Sequence, residues 1–501
     1  MPAQRAKSVP ELRVRAVNAA PVRGEGRYVL YWMVAARRAR WNFALDRAVE
    51  LARELDRPLI VLEALRADYP WASARMHGFV LDGMADNARA FEGSGVLYHP
   101  YVEPKVGAGK GLLERLAEQA CAVVTDDFPA FFLPGMVAAA GRKLRVRLEA
   151  VDSNGLLPLR AAERSFVRAF DFRRFLQREL APHLASFPRR DPLRRELRPI
   201  RRLPEGIAKR WPRPDAALLA GRGRALAALP IDQQVPPSPI RGGARAAQRT
   251  LARFLAHGLE RYGSDHNQPE SDASSGLSPY LHFGHVSPHE VLHATGARED
   301  WSVDDVGNER RGKRSGWWGL SESAEAFLDE LVTWRELGLN FCSHHADYDR
   351  YESLPAWSRE TLERHARDRR PQVYTLEQFE QAATHDELWN AAQNQLRVEG
   401  RIHNYLRMLW GKKILHWSAS PRAALAILIE LNNKHALDGR DPNSYSGIFW
   451  TLGRFDRAWG PERPVFGTVR YMSSESTRRK LRVDDYVARW SDWDAPTRAA
   501  E

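Results

Sequence analysis

Cysteines and long hydrophobic runs are both scarce in this chain. Only two of the 501 residues are cysteines, Cys121 and Cys342, so a disulfide framework is excluded and a reducing compartment is favoured. There is no run of about 18 apolar residues, which argues against a membrane-spanning helix. The basic N-terminus also lacks the apolar stretch of a secretory signal. These absences indicate a cytoplasmic protein without membrane association.

The rest of the composition is that of a folded globular protein with an excess of positive charge. Hydrophobic residues make up 44% and charged residues 28%, which suits two or three domains with their own cores. The net charge is +12 at pH 7. Such an excess favours a polyanionic partner, because binding to phosphates releases counterions. A role in solubility alone explains the charge equally well, so composition leaves both interpretations open.

The first part of the chain alternates between strand and helix patterns. Tyr28–Met33 and residues 58–62 are short apolar runs, and residues 41–55 between them have helical spacing. Over residues 27–187 this alternation predicts an α/β domain with a parallel, doubly wound sheet, which would bind ligands at the carboxyl ends of its strands. No glycine-rich dinucleotide or Walker motif occurs there. We expect residues 1–26 to form a flexible basic tail.

The composition changes after the α/β domain. Prolines and arginines replace apolar periodicity over residues 188–245, which predicts a long linker. From residue 246 to 493 strand signals vanish and helical periods dominate, so we predict an all-α domain, followed by a short tail at 494–501. Within the helical domain, residues 308–316 (NERRGKRSG) form a basic loop to which the sequence assigns no role.

Tryptophan is concentrated in the second half, where twelve of the sixteen indoles lie after residue 300. Residues 401–417 have the pattern of one helix. At about 3.6 residues per turn, one face of that helix carries His403, Arg407, Trp410 and Trp417. An ordinary core face would be aliphatic. A face of indoles with a histidine and an arginine indicates a large, polar, aromatic partner buried against it.

The sequence HEVLH at residues 289–293 matches the zinc-protease pattern, in which two histidines one turn apart bind the metal. The preceding Ser287-Pro288, with Glu290, predicts a capping box and therefore the first turn of an ordinary helix. A third ligand is not evident nearby. We therefore predict that the protein holds no metal, and keep a zinc hydrolase as the rival from another functional class.

Two further segments suggest contacts with nucleic acid. Glu330 and Trp334 are four residues apart in a predicted helix over residues 327–341, so the indole could stack on a base while the carboxylate accepts a hydrogen bond from it. An inward-packed Trp334 with Glu330 at the rim fits the same spacing. Farther on, Arg457, Trp459 and Arg470 interleave charge and rings, as single-strand grooves do.

These segments together resemble the class II cyclobutane-pyrimidine-dimer photolyases, which belong to the photolyase/cryptochrome family. The similarity covers essentially the whole helical domain, and the opening strand and helix of the α/β domain resemble the family as well. The motifs occur in family order: GLSPYLHFG, FLDELVTWRELGLNFC, YTLEQFEQAATHDELWNAAQ, RMLWGKKILHW, LDGRDPNSYSGIFW and FDRAWGPERPVFGTVRYM. Several long motifs in order are far more specific than a five-residue zinc pattern.

The resemblance implies a deoxyribodipyrimidine photo-lyase, a carbon–carbon lyase that repairs UV-damaged DNA under blue light. It implies FAD, reduced and anionic in the active state, bound in a bent shape in the helical domain. An electron from the excited flavin would split the ring of a dimer that has left the duplex. A second antenna chromophore such as a deazaflavin would bind the α/β domain. The protein would act as a monomer, at the nucleoid if bacterial. The rival within the family is a cryptochrome-like photoreceptor without repair activity.

The resemblance also assigns roles to individual residues of this chain. Residues expected at the dimer are Glu330, Trp334, Met408 and Trp450. Those expected to relay electrons to the flavin are Trp410, Trp389 and Trp417. Those expected to bind FAD are Tyr262, Leu277, Ser278, Arg335, Arg407, Asn432, Asp438 and Arg440. Those expected to meet DNA are Arg457, Trp459 and Arg470.

Overall fold

The computed structural model describes residues 8–271 and 273–491, and its N-terminal part is built on one six-stranded sheet. The strand order is β1-β6-β5-β2-β3-β4, and every neighbouring pair is parallel except β1 and β6. The strands are β1 Val14–Ala16, β2 Tyr28–Met33, β3 Leu59–Leu65, β4 Leu97–Val102, β5 Ala120–Asp126 and β6 Leu148–Val151.

Helices cover both faces of the sheet. Successive residues of β2 alternate between two separate hydrophobic cores, with Leu30 in one and Tyr31 in the other. A strand buried on both faces reads as a continuous apolar run, which is why YVLYWM lacks a polar alternation. The helices of this domain are α1 Phe43–Glu54, α2 Ala74–Phe91, α3 Leu112–Ala117, α4 Leu133–Lys143 and α5 Ala169–His183. The predicted α/β fold class is confirmed.

The predicted flexible tail is wrong for its described part, residues 8–26. A 3₁₀ turn at Glu11–Arg13 leads into β1, which pairs antiparallel with β6 in the register Val14↔Val151. Arg13 is 1% exposed, and its guanidinium donates to the Leu156 carbonyl at 2.7 Å. The segment is therefore an edge strand of the sheet rather than a free arm.

The segment predicted as a linker, residues 188–245, has few regular elements. It contains a 3₁₀ turn at Pro192–Arg194 and three short helices, α6 Ile207–Arg210, α7 Ala216–Leu219 and α8 Gly223–Ala227. It is nevertheless packed onto the first domain in places. Trp211 is 2% exposed and donates from its indole nitrogen to the Ala108 carbonyl at 2.9 Å.

The remaining part is helical, as predicted, and strands are not found within residues 246–271 and 273–491. Its helices are α9 Ala244–Arg253, α10 Tyr262–Asp265, α11 Ser278–His282, α12 Pro288–Gly296, α13 Glu322–Leu328, α14 Arg335–His344, α15 Ala356–Arg364, α16 Leu376–Glu380, α17 Glu387–Glu399, α18 Asn404–Trp417, α19 Pro421–His435, α20 Pro442–Thr451, α21 Ser474–Lys480 and α22 Asp484–Trp490. The helix predicted over 401–417 therefore begins at Asn404. Trp493 and the predicted tail at 494–501 lie outside the described residues.

The helix predicted over residues 327–341 is not a continuous α-helix. A π-helical turn, Asp329–Trp334, separates α13 from α14, and it contains both Glu330 and Trp334. A π-turn holds one more residue per turn than an α-helix, and such turns occur most often at functional sites. A second π-turn, Phe254–Gly258, follows α9.

The two domains are joined by buried polar contacts. Arg75 of α2 is 1% exposed and donates to the carbonyl oxygens of Leu396 at 3.1 Å and His435 at 2.9 Å, both in the helical domain. The His435 carbonyl is the last of α19, where a helix leaves such a group without an internal partner, and the Leu396 carbonyl near the end of α17 also accepts from the Gly400 backbone. Over residues 8–271 and 273–491, each helix is either too short or too polar to cross a membrane.

Candidate functional site

A large cavity lies among the helices of the second domain, and most of the predicted site residues line it. Its volume is about 1390 Å³. A pocket for one small ligand has roughly 300–1,000 Å³, so this cavity has room for a large cofactor and part of a second molecule. The predicted residues on its wall are Tyr262, Leu277, Ser278, Glu330, Trp334, Arg335, Arg407, Met408, Trp410, Asn432, Asp438, Trp450, Arg457 and Arg470. The predicted residues outside its lining are Trp389, Trp417, Arg440 and Trp459.

A buried ion pair lies on the cavity wall. Arg407 of α18 donates to Asp438, which lies in the turn between α19 and α20, at 2.8 Å. Burial alone would raise the pKa of the Asp438 carboxyl, but the charge and hydrogen bond of Arg407 and a hydrogen bond from Ser278 outweigh it and lower that pKa. Asp438 is therefore ionised, and Arg407 keeps its positive charge at the cavity surface.

Other polar groups on the wall are held by the protein in fixed positions. Asn432 is 2% exposed and donates to the Ser444 hydroxyl at 2.7 Å. Arg335 donates one guanidinium nitrogen to the Asn154 carbonyl at 2.6 Å. His403 has a buried Nδ1 that finds no hydrogen-bond partner among the described residues.

Arg440 points away from this cavity, contrary to the prediction. Its φ of +65° is in the left-handed region and turns the side chain to the other side of the chain. The guanidinium donates to the carbonyls of Asn433 at 2.8 Å and Ala436 at 3.3 Å. It also lies 6.0 Å from the ring of Phe283 and lines a second cavity in the first domain.

Three tryptophans form a continuous row that leads away from the cavity. Trp410 lies on the wall, and its ring is parallel to that of Trp389, with 6.4 Å between centroids and 5° between planes. Trp389 is in turn 6.2 Å from Trp417. All three are at most 2% exposed. Helix α17 thus inserts the middle ring between two indoles of α18 that are too far apart to touch each other.

Glu330 lies in the π-turn and faces the cavity. Burial raises the pKa of its carboxyl to about 7, and the neighbouring Asp329 adds to the rise, while Arg314 and Arg173 oppose it. Asp329 itself is held by Arg173 of α5 through two hydrogen bonds, 2.8 Å and 2.9 Å. Near neutral pH a substantial fraction of Glu330 is therefore protonated. It can donate as well as accept a hydrogen bond, whereas the sequence argument expected acceptance alone.

Lys412 is a buried residue beside the cavity that the sequence argument missed. Its ammonium nitrogen lies 4.7 Å from the ring centroid of Trp450 and donates to the Thr451 carbonyl at 2.7 Å. Burial lowers the pKa of this amine to about 7. Position 412 does not lie on the face of α18 that carries Arg407, Trp410 and Trp417, so the spacing does not mark it, and only the structure shows that this lysine contacts the Trp450 indole.

Asp456 organises the basic and aromatic rim near Trp450. Arg470 donates to its carboxylate at 2.7 Å and 3.1 Å, and the Trp459 indole donates to it at 3.2 Å. The guanidinium of Arg470 lies 4.0 Å from the centroid of Trp459, and that of Arg457 lies 4.4 Å from it. Both guanidinium groups therefore contact the Trp459 ring, which lies outside the cavity lining, and its expected contact with DNA stays a prediction.

A second cavity, of about 520 Å³, lies at the carboxyl ends of the parallel strands. Its wall includes residues that end or follow β2, β3, β4 and β5, as expected for a ligand site in such a sheet. Aromatic and charged side chains face it, among them Trp32, Tyr101, Phe128 and Lys110. The sequence provided no motif for this cavity, because its residues come from loops spread over more than 100 positions.

The HEVLH segment does not form a metal centre. Among residues 8–271 and 273–491 no group of His, Cys, Asp and Glu side chains has an arrangement suited to a metal ion. His289 is 1% exposed and packs on Phe43 at 5.3 Å and Phe187 at 5.0 Å. Ser287 caps α12 by accepting from the His289 backbone, while Glu290 turns aside to accept from Gln248 at 3.2 Å. The reciprocal half of the predicted capping box is thus not formed.

The chain has close relatives of known name. No protein-family model matches it. The deoxyribodipyrimidine photo-lyase of Methanothermobacter thermautotrophicus is 34% identical over 479 residues, covering 95% of this chain and 97% of that protein. The Arabidopsis thaliana protein of the same name is 33% identical, covering 92% and 88%, and the Potorous tridactylus one is 32% identical, covering 93% and 81%.

The comparison of structures supports the same fold. A bacterial class III photolyase from Agrobacterium tumefaciens superposes with a TM-score of 0.65 at 18% identity, covering 93% of this chain and 86% of that one. At that identity the likeness concerns the fold alone. The sequence relatives match 92–95% of this chain and therefore extend over both domains. The chain therefore belongs to the photolyase/cryptochrome family, among its deoxyribodipyrimidine photo-lyases.

Proposed function

We propose that the protein repairs cyclobutane pyrimidine dimers in UV-damaged DNA under blue light, as a class II photo-lyase that breaks carbon–carbon bonds. The observation that carries this proposal is the composition of one cavity. It combines a buried Arg407–Asp438 pair with a carboxyl at Glu330 and two indoles, Trp334 and Trp450. The ion pair suits a charged cofactor. Glu330 and the two indoles suit a pair of bases that has left the duplex.

The cavity residues fit FAD. The isoalloxazine and adenine are flat, partly polar groups, and the wall offers indole, tyrosine and amide side chains for them. Ser278 and Arg335 would hold the diphosphate. Asn432 and the pair Arg407–Asp438 would hold the flavin ring. When bound and fully reduced, FAD supplies the electron that light transfers to the dimer and accepts it again after the ring has opened.

The residues of this chain supply binding and electrostatics for that chemistry. Arg407 places a positive charge at the wall, which favours an anionic form of the flavin. Asp438 pairs with Arg407 at 2.8 Å, so neither ion is left without a partner when the cavity is filled. Asn432 is fixed by Ser444, so its amide cannot turn away from the cavity.

The dimer would be held by the other part of the wall. It must leave the duplex to reach a buried cofactor, and a dimer is easier to extrude than an intact base pair because its pairing is already weakened. Trp334 and Trp450 offer faces for stacking, and Met408 lies beside them on the wall. A protonated Glu330 can donate to a base carbonyl and accept from a base N–H, which matches the edge of a pyrimidine.

The row of Trp410, Trp389 and Trp417 would return an oxidised flavin to its reduced state. Neighbouring rings in contact allow an electron to pass in short steps. The indole of Trp389 donates to the Trp410 carbonyl at 3.0 Å, and that of Trp410 donates to Gln393 at 2.9 Å. These bonds keep the rings in place during transfer.

The second cavity would bind an antenna chromophore such as a deazaflavin. Its size suits one flat heterocycle, and it lies where parallel sheets bind ligands. Arg440 would then act at this cavity instead of the FAD site. We further propose that the protein works as a monomer in the cytoplasm, at the nucleoid if bacterial. Its two cysteines are free and buried, which suits a reducing compartment.

One experiment tests the central proposal. The purified protein is examined by absorbance, reduced, and incubated with UV-irradiated DNA in the dark and under blue light. We expect a flavin spectrum and a light-dependent loss of dimers. A colourless protein, or a reduced flavoprotein that leaves dimers intact in the light, would overturn it. The second of these outcomes would support a cryptochrome-like photoreceptor instead.

A further inference from the structure

The basic loop at residues 308–316 lies at the mouth of the large cavity. Lys313 and Arg314 line the cavity together with Glu330 and Trp450. Arg314 is close enough to Glu330 to oppose the rise of its pKa. The loop carries four basic residues and one acidic residue, a net charge of +3. Its position therefore adds positive charge where DNA would have to approach.

The centre of the loop is held in place by hydrogen bonds to α5. Gln177 of α5 is 7% exposed, accepts from the Gly312 backbone at 2.7 Å and donates to the Lys313 carbonyl at 2.9 Å. Gly312 has a φ of +74°, and a Cβ there would lie 2.6 Å from Arg174 and 3.1 Å from Phe170. Only glycine allows the loop to lie so close to α5.

The end of the loop is fixed as well. Glu325 is 1% exposed, and its carboxylate accepts from the backbone nitrogens of Gly316, Trp318 and Gly319. Trp317 and Trp318 are buried beside it. A loop that serves only solubility needs no such anchors, because ordering its backbone costs conformational entropy.

The basic side chains themselves are left free. Arg310 and Arg314 are exposed, and neither forms an ion pair or hydrogen bond within the described part of the chain. Lys313 has only Glu309, at 3.4 Å between exposed groups. Next to the loop, Arg168, which directly precedes α5, and Phe170 of α5 line the same cavity, and Phe170 is 50% exposed. A fixed backbone with unpaired cations is the arrangement that phosphates bind.

We propose that the loop at residues 308–316 is a phosphate-binding lip, with Arg310 and Arg314 contacting the DNA backbone beside the extruded dimer. This inference rests on the proposed function, since it needs DNA at the cavity mouth. The contact is to phosphate, so it adds affinity for damaged and intact duplex equally. It positions the DNA and does not recognise the lesion.

The test uses the full-length protein with both arginines replaced, Arg310→Ala and Arg314→Ala. Its matched control replaces Arg53→Ala and Arg142→Ala, two exposed arginines of the α/β domain outside the cavity. Binding to a short duplex with one thymine dimer, and to the same duplex undamaged, is measured over a range of salt concentrations. A third variant, Gln177→Met, frees the loop without changing the charge.

We expect the Arg310/Arg314 variant to bind both duplexes roughly five- to fiftyfold more weakly at low salt, with the slope of log K against log salt reduced by about two. The control should keep the slope of the original protein. Gln177→Met should weaken binding of both duplexes while the repaired fraction per bound dimer stays unchanged.

Two results would overturn the proposal. One is a salt slope equal to that of the Arg53/Arg142 control. The other is a loss confined to the damaged duplex, which would mean that the loop acts on the dimer and not on phosphates. Failure of the proposed function would give a different result. The original protein would still bind DNA with a salt slope steeper than that of the Arg310/Arg314 variant, but it would not remove dimers in light.

Discussion

The tryptophans of the helical domain fall into two groups with opposite surroundings. Trp410, Trp389 and Trp417 are buried, touch one another, and have protein partners for two of their indole nitrogens. Trp334 and Trp450 are half-buried and face open space. The first group is fixed in distance and orientation, which suits electron relay. The second keeps a free face, which suits stacking on a base.

Charge separates the groups further. Trp450 has the Lys412 ammonium 4.7 Å and the Arg470 guanidinium 5.7 Å from its ring centroid. A nearby positive charge opposes the loss of an electron from the ring; Lys412 carries that charge mainly below about pH 7, and Arg470 shares its charge with Asp456 at 2.7 Å. Trp389 and Trp410 have no such cation among the described residues. At the end of the row, Lys413 lies over Trp417 but is 3.4 Å from the Asp386 carboxylate. The charges of the neighbouring side chains therefore distinguish Trp450 from Trp389 and Trp410.

The largest effect is expected for Trp410→Phe. Removing the Trp410 ring breaks the row at the cavity, so light-driven reduction of the flavin should become at least about tenfold slower. A tenfold slower rate corresponds to an activation barrier that is about 1.36 kcal/mol higher. Repair by chemically reduced enzyme should remain. Trp301→Phe, a half-buried indole outside the large cavity, is the control. If prereduced Trp410→Phe no longer repairs, the two groups are not separate.

Trp450→Ala should give the converse result. Loss of one stacked base costs about 1–3 kcal/mol, so affinity for dimer-containing DNA should fall roughly five- to 150-fold while flavin photoreduction is unchanged. Trp450→Phe keeps an aromatic face and should lose much less. Binding is measured by titration of a dimer-containing oligonucleotide. Unchanged affinity in the alanine variant would remove Trp450 from the pocket.

A smaller effect is expected from the protonation of Glu330. Its pKa is raised to about 7, so the carboxyl is neutral below that pH and loses its proton as the pH rises through 7. Affinity for dimer-containing DNA should therefore fall about three- to tenfold between pH 6 and pH 8. Glu330→Gln keeps a donor and an acceptor at every pH, so its affinity should not change over this range. Affinity that rises with pH in the original protein would contradict a neutral carboxyl.

The smallest effect concerns Lys412 and stability. Its pKa is about 7 in the folded protein and near 10.5 in an exposed lysine, so between these values the unfolded chain binds more protons. Stability should then rise with pH across this window. Lys412→Met should lack this contribution, and thermal unfolding midpoints should show the difference as roughly 2–4 °C. Lys413→Met, its neighbour on α18, controls for the loss of one charge.

Much of the fold could be predicted from residue patterns, and the failures have physical reasons. The parallel sheet could be predicted because its strands are buried on both faces. Such strands appear in the sequence as continuous apolar runs, separated here by segments with helical spacing. Strand β1 was missed because three residues show no periodicity and its partner β6 lies more than 130 positions away. The π-turn was missed because, over six residues, its side-chain spacing differs from that of an α-helix by little more than one residue.

The candidate site also contains residues whose positions could be predicted from the sequence and residues whose positions could not. Residues on the inner faces of regular helices, such as Arg407 and Trp410 on α18, have directions that follow from spacing. Arg440 does not, because its positive φ reverses the direction of the side chain. The role of the loop at residues 308–316 was also hidden, since its anchors, Gln177 and Glu325, come from helices on either side of it in sequence.

The π-turn at Asp329–Trp334 limits how this chain can change in evolution. One residue fewer would turn it into an ordinary α-helix and rotate everything beyond it by about 100°, since a helix turns once per 3.6 residues. Arg335 and Asn340 would then leave their partners in the first domain, Asn154 and Phe166. Single substitutions keep this geometry, whereas a single-residue deletion would change the position of Glu330, proposed to hold the dimer, relative to Arg335, proposed to bind the cofactor.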